Sequence, residues 1–425
     1  MFEAELADVG LFESMSRYGD MSIHAVLDLR RTFSREELER AASATIEDFP
    51  VLGGAYEPRF WRDRWRRVEG PVSGIVHVVD EPVDLEADTE AWARRPIATT
   101  RERPLRIVSL RRRQGSRVIV SVMHVAVDGG GAAAVGHVLG SHLYGVRPSA
   151  PVDARRGVRS ALDRLRWRHL PALARDVAKA VTQPLRTLAA TPRERPYPVG
   201  GAREASWRYL VIPAADLARI KARCGARGAS VNDALIAALA RVGAGRSSRG
   251  PLAVTYTMDL RRYAASPRLT AANTSTILTA IVPRAAIADL ATTASAVAAI
   301  TSRQRRGLEG PAFLVAPLAL GAIVPHAFAR RLTRWLHPAL VDLPLDRGLL
   351  VTNVGRLDDG LAAFGDDLEA VRVIGPNLDS VGVPAVVAYG FRGELHLELF
   401  AGSPLGAGAL EEFEAELRGA LELPG

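Results

Sequence analysis

His124 and Asp128, four positions apart, are the pair of side chains in this sequence best placed to do chemistry. They lie in Val118-Ile-Val-Ser-Val-Met-His124-Val-Ala-Val-Asp128-Gly-Gly-Gly131, where a β-branched apolar run leads into the histidine and glycines follow the aspartate. A neutral imidazole, with an ordinary pKa near ~6.5, can take a proton from an attacking nucleophile at neutral pH. Residues 118–122 have the length and branching of a buried strand. The glycines permit a sharp turn, after which Val135, Val138, Leu139 and Leu143 recur at helical spacing. His124 is therefore expected at a strand end, beside a helix N-terminus, on a support rigid enough for a general base. In an extended segment, positions four apart are separated by more than ~12 Å. Asp128 thus reaches the imidazole only if the chain turns back; otherwise it is a structural anion paired with an arginine from elsewhere. A satisfied core histidine and a turn aspartate fit the same spacing, and His-x-x-x-Asp alone does not choose between these readings.

Met123-His124-Val-Ala-Val-Asp128-Gly129 resembles the HHxxxDG motif of the acyltransferase superfamily that includes chloramphenicol acetyltransferase. Nonribosomal-peptide condensation domains, wax-ester synthases, plant BAHD acyltransferases and mycobacterial polyketide-associated acyltransferases belong to the same superfamily. The resemblance implies that His124 is the catalytic base, that Asp128 makes a structural salt bridge, and that Gly129 keeps the approach to the imidazole clear. The sequence departs from the pattern at Met123, where the family has its first histidine.

Elements on both sides of the motif must hold it in place. Ser34-Arg-Glu-Glu37 is a capping box, and Leu38, Ala42, Ile46 and Phe49 follow along one helical face. Pro50 then ends that helix. Residues 21–56 resemble the family's opening strand, helix and "-hPvLr-" turn. Residues 104–110 resemble the strand beside the motif strand, with 111–117 as a hairpin loop. In the second half, residues 207–212 read as a strand. Ser230 is an N-cap for a helix whose apolar face carries Val231, Ala234, Leu235, Ala238, Leu239 and Val242. The strand 254–258 ends in Asp259-Leu-Arg261, similar to the family's "vDLR" element, which implies that Arg261 pairs with Asp128. Asn273-Thr-Ser275 lies where a channel-lining segment is common, and 349–355, with Asn353, resembles the "-SNlG-" strand. Asn273, Ser275 and Asn353 are the expected oxyanion donors or tunnel residues. Residues 385–391 and 395–400 read as a hairpin with His396 on its exposed side, followed by a helix burying Leu410, Phe413, Leu417 and Leu421.

Composition narrows the class. With 425 residues the chain is long for one core and suggests two domains, and 48% hydrophobic with 24% charged residues is ordinary for a globular protein. The single cysteine, Cys224, forbids an internal disulfide and suits a reducing cytoplasm. No signal peptide is visible. The most apolar stretch, 313–328, is broken by Pro317 and Pro325 and is short for a membrane span, so a pair of buried helices is expected there. The net charge of +8 comes almost wholly from arginine. It suits a solvated surface, coenzyme A phosphates, anionic lipid or an acidic carrier protein, while no nucleic-acid motif accompanies it. Arginines including Arg155, Arg156 and Arg159 crowd 151–200, a segment punctuated by prolines. It reads as a crossover between an N-terminal lobe (1–150) and a C-terminal lobe (201–425).

The resemblance implies an α/β architecture of two chloramphenicol acetyltransferase-like lobes, each a mixed β-sheet flanked by helices, with a tunnel between them and His124 at its midpoint. It implies a monomeric acyltransferase of condensation-domain type; with no adjoining adenylation or carrier module the chain reads as stand-alone, and its cysteine content suits the cytoplasm. The acyl group would move from a thioester, on coenzyme A or a phosphopantetheine-linked acyl carrier protein, to a hydroxyl or amine acceptor, forming an ester or amide. No tightly bound cofactor and no metal is expected, since neither metal-ligand spacing nor a phosphate loop is present. The alternative reading is a catalytically silent member that binds a carrier protein or recruits a partner; a hydrolase using water as acceptor stands further off.

Overall fold

The computed structural model describes residues 2–156, 162, 165, 169–191, 195–197, 206–247, 250–312, 324–338, 347–376, 382–402, 405 and 408–424. Arg159, Arg164, Arg166 and Arg168 of the expected crossover, and residues 313–323 of the apolar stretch, lie outside them. In chain order the first half runs β1 (Phe2–Glu3), α1 (Leu6–Tyr18), β2 (Ser22–Leu29), α2 (Arg35–Asp48), β3 (Gly54–Glu57), β4 (Arg64–Arg67) and β5 (Val76–Asp80). It continues with α3 (Leu85–Arg94), β6 (Leu105–Arg111), β7 (Ser116–Met123), α4 (Gly129–Tyr144) and α5 (Leu170–Ala190). Next come β8 (Ser206–Ile212), α6 (Ala214–Gly225), α7 (Val231–Arg246), β9 (Leu252–Asp259), β10 (Ser275–Val282) and α8 (Leu290–Arg306). The last elements are α9 (His326–His337), β11 (Leu349–Arg356), β12 (Leu368–Ile374), β13 (Ala385–Phe391), β14 (Glu394–Ala401) and α10 (Ala409–Ala420).

Two mixed sheets dominate. The first has the order β12-β2-β7-β6-β5 and the second β10-β9-β11-β13-β14-β8, while β1, β4 and β3 make a small third sheet. The motif strand β7 is central in the first sheet, and every one of its residues is buried. Its apolar residues run unbroken because both faces are covered. Val118, Val120 and Val122 join one core with α2 and α4, while Ile119 packs with Val26, Val108 and Ala93 on the other side. The capping boxes at Ser34–Glu37 and Ser230–Asp233 form as their sequences require, fixing the starts of α2 and α7.

The edge of the first sheet comes from the far end of the chain. β12 pairs antiparallel with β2, Val371 opposite Leu27, so the stretch 201–425 contributes a strand to the sheet that carries the motif. The free edge of β12 meets Tyr389 of β13, whose hydroxyl accepts from the Val373 amide (3.3 Å) and donates to the Val371 carbonyl (3.1 Å). Capping an open strand edge in this way blocks further pairing and ties the two sheets together.

Two expectations are corrected here. His396 is buried: its ring stacks on Tyr389 at 5.1 Å between centroids, and Nδ1 meets the Tyr209 hydroxyl. The alternation along β14 is present, but the face that reads as polar turns toward β12 instead of water. Glu398 shares that face, and burial pushes its carboxyl well above the ordinary range. Phe328 is also not in a buried helix; it stands exposed on α9.

Candidate active site

β7 ends at Met123, and the chain then turns: Ala126 N–H donates to the Met123 carbonyl (2.9 Å), and His124 N–H to the Met21 carbonyl (3.2 Å). The His124 ring is half-buried. Its Nδ1 is sealed from solvent and has no well-formed hydrogen bond among the described residues, and Asn273 Oδ1 is in the same condition. Burial pushes the imidazole below its ordinary value. Its own backbone, Asp128, the Asn273 side chain and the Val127 backbone each favour the protonated form, without cancelling that effect. The group is consequently neutral at pH 7.

Asp128 does not reach back to the imidazole. It is the N-cap of α4, accepting from Gly131 N–H at 2.7 Å, and it is buried beneath Arg261. Arg261 donates to both carboxylate oxygens, at 2.9 and 3.1 Å. Thr274 N–H and Ser275 Oγ donate to Oδ2, each at 2.8 Å. Burial alone would raise the Asp128 carboxyl, but Arg261 and the donated bonds outweigh it and hold it at about 2. Arg261 also donates to the Thr270 hydroxyl and the Ala272 carbonyl, both at 3.0 Å. One ion pair therefore pins the motif turn to segment 270–275 of the chain's second half.

A second tie went unseen in the sequence. Asp8 of α1, fully buried, accepts from Asn273 Nδ2 (3.1 Å), Trp65 Nε1 (3.0 Å) and Arg156 (2.8 Å). Arg156 also donates to the Ala126 carbonyl, and Asn273 to the Val125 carbonyl, both at 2.8 Å. Both backbone carbonyls after His124 are thereby held by side chains from distant segments. Nothing near Asp8 or Arg156 repeats a pattern, so only coordinates could join them.

The expected donors are spent elsewhere. Asn273 uses Nδ2 on Asp8 and Val125, and Ser275 is committed to Asp128. Asn353 caps Gly355 N–H with Oδ1 (2.9 Å) and turns Nδ2 toward Asn232 (3.4 Å). Thr352 and Thr257 lie on β11 and β9. The ladder between β9 and β11 ends at Val351–Tyr256, and beyond it the two hydroxyls meet at 3.0 Å. Thr257 and the residues from Thr352 to Gly355 are half-buried.

Gly129, Gly130 and Gly131 are not equivalent. A methyl group added at Gly129 would meet Val354 at 3.5 Å, an ordinary contact, whereas at Gly130 it would lie 2.6 Å from Arg261 Nη1. Arg261 cannot yield without leaving Asp128. Gly130→Ala is therefore expected to destabilise the protein by about 1–3 kcal/mol, well beyond Gly129→Ala, as read by urea unfolding of the two variants. Equal costs would show that Arg261 repacks freely.

An apolar cavity of about 80 Å³ starts at Gly129 and runs between α4 and the first sheet. Leu27, Val120, Ala132, Ala133 and Gly136 are among its walls, and Val354 of β11 is another. Among the described residues no cluster of His, Cys, Asp or Glu could hold a metal ion.

No family model matches the sequence, and no curated protein matches it. Solved structures do resemble it. The trichothecene 15-O-acetyltransferase from Fusarium sporotrichioides superposes with a TM-score of 0.75 at 11% identity, over 99% of this chain and 94% of that one. The first condensation domain of the CDA synthetase gives 0.66 at 16% identity, over 99% and 95%. The epimerization domain from the third module of tyrocidine synthetase B gives 0.63 at 11%, over 99% and 97%. With two mixed sheets, flanking helices and these likenesses over nearly its whole length, the chain has the two-lobed fold of condensation domains and chloramphenicol acetyltransferase-like acyltransferases.

Proposed function

We propose that the protein transfers an acyl group from a thioester to a hydroxyl or amine acceptor, with His124 as general base. The observation that carries this reading is the placing of the imidazole: half-buried, its inner nitrogen sealed, on a turn whose Val125 and Ala126 carbonyls are held, with burial disfavouring its charged form. Nε2 is then the nitrogen left for the acceptor. As the acceptor oxygen or nitrogen bonds to the thioester carbonyl carbon, its proton passes to Nε2. Collapse of the tetrahedral intermediate breaks the carbon–sulfur bond, and the proton leaves with the thiolate. Asp128 stays ionised throughout and serves position alone. The co-substrate is an acyl thioester of coenzyme A or of a carrier protein.

Acetyltransferase, condensation and epimerization domains share this fold, so the fold does not choose the reaction. The apolar cavity supports acyl transfer, because it offers a place for an alkyl chain beside the motif. A cavity of roughly 150 Å³ admits benzene, so this one suits a chain of a few carbons. The test is mass spectrometry of reactions pairing acetyl to octanoyl thioesters, on coenzyme A and on pantetheine, with alcohol and amine acceptors. Acylated acceptor is the expected product. Thioester left intact across the panel would favour the silent, partner-binding reading.

Chain length gives a sharper expectation. A side chain at Gly136 would meet nothing within 4 Å, since it enters the cavity. Gly136→Leu should stabilise α4 by up to about 1 kcal/mol, because glycine is costly inside a helix. The same change should lower kcat/KM for a butyryl thioester at least about tenfold while sparing acetyl. An equal loss for both chains would remove the cavity from substrate binding.

A further inference from the structure

Helix α9 is packed inside out. Its polar side chains face α1 and the β4 turn: His326 Nδ1 accepts from Asp63 N–H (2.9 Å), Arg330 pairs with Asp63, Arg334 donates to Glu13 (2.9 Å), and His337 meets Ser14 (3.0 Å). These residues fall at intervals of three and four and form one stripe. The opposite stripe carries Phe328, half-buried Leu332 and Trp335, which point to solvent. Phe60 and Trp61 stand beside it, because the His326 and Ala327 amides donate to the Trp61 and Phe60 carbonyls at 2.9 and 3.0 Å. Phe60, Trp61, Phe328 and Trp335 are exposed by 66, 63, 57 and 75%. A soluble surface rarely gathers four large aromatic side chains without a partner.

Arginine outnumbers acid around the patch. Arg59 and Arg331 are exposed beside it, and Arg334 lies at its flank, paired with Glu13; Glu13 and Asp63 are buried, while Glu57 and the exposed Glu3 are paired with Arg59 and Arg62. A second copy docking by two-fold symmetry would oppose arginine with arginine. Exposed aromatic rings flanked by guanidinium groups match a layer of anionic lipid headgroups over acyl chains. We propose that α9 and the Phe60–Trp61 turn form a docking surface for an anionic bilayer, with the four rings entering the headgroup boundary and the arginines meeting lipid phosphates. This is independent of the chemistry at His124.

Flotation of the full chain with vesicles tests it, using phosphatidylcholine alone and phosphatidylcholine with phosphatidylglycerol at about 3:1. Binding is expected on the mixed vesicles and to weaken with salt. Phe328→Ser/Trp335→Ser, which leaves every charge in place, should weaken binding at least about tenfold with unfolding unchanged. Arg331→Gln should weaken it too, whereas Arg306→Gln on α8 removes the same charge and should not. Equal weakening by both arginine variants would reduce the effect to net charge and overturn the proposal. So would wild-type binding by the serine variant, absence of binding to both vesicle types, or a dimer in solution that the serine variant abolishes.

Discussion

His124→Gln is expected to lower kcat/KM for acyl transfer by about 10²–10⁴-fold while leaving the protein folded. Glutamine keeps much of the volume of the ring and fills the same half-buried place, but its amide cannot accept a proton near neutral pH. The loss should fall on kcat, because the proton moves only as the acceptor attacks. The wild-type pH profile provides an independent check. Burial disfavours the imidazolium, so the folded pKa lies below 6.5 and the base form persists as pH falls through that value. The acid limb of kcat/KM should therefore have its midpoint below pH 6.5. The same sign governs stability: the folded state resists a proton that the unfolded chain accepts, so this residue's contribution erodes as pH drops below about 6.5. An acid limb above that value, or a glutamine variant as active as wild type, would remove His124 from the reaction.

How much of this was readable depends on the range of each interaction. β7, α4 and the capping boxes were legible because period, length and N-cap chemistry are local properties. Arg261 was found only through its place in a "vDLR" element, since no spacing links residues 128 and 261. Asp8 and Arg156 carried no such mark. Their roles arise because α1 and the segment at Arg156 converge on the backbone after His124. His396 was misjudged for a related reason: alternation tells that two faces differ, not that the polar one meets another sheet. Asn273, Ser275 and Asn353 were the expected donors, yet a sequence cannot say which donors are already spent. At Phe328 high local apolarity implied burial, whereas α9 turns that side chain to solvent.

Arg261→Met should destabilise the protein by about 3–5 kcal/mol, and Asp128→Asn by less, although both break the same pair. The inequality follows from what each variant leaves behind. Without Arg261, the buried Asp128 carboxylate keeps only neutral donors, and no other cation pairs with it among the described residues. Without the Asp128 charge, Arg261 still has Asp259 at 3.2 Å and the carbonyl of Ala272. A stranded buried anion is the costlier remnant, because desolvation penalises it in full. In a double-mutant cycle by urea unfolding, the double variant should be more stable than the sum of the single losses, with a coupling of about 0.5–3 kcal/mol. Acid should reproduce part of the effect: Asp128, held at about 2, contributes stability that is present above the unfolded value near ~3.9 and disappears as pH falls toward 2. The Arg261→Met variant should lose that pH dependence, because the guanidinium that holds the carboxyl down is gone. Additive single losses, or an Asp128→Asn variant as damaged as Arg261→Met, would mean that the turn after His124 is held chiefly by Asp8, Arg156 and Asn273.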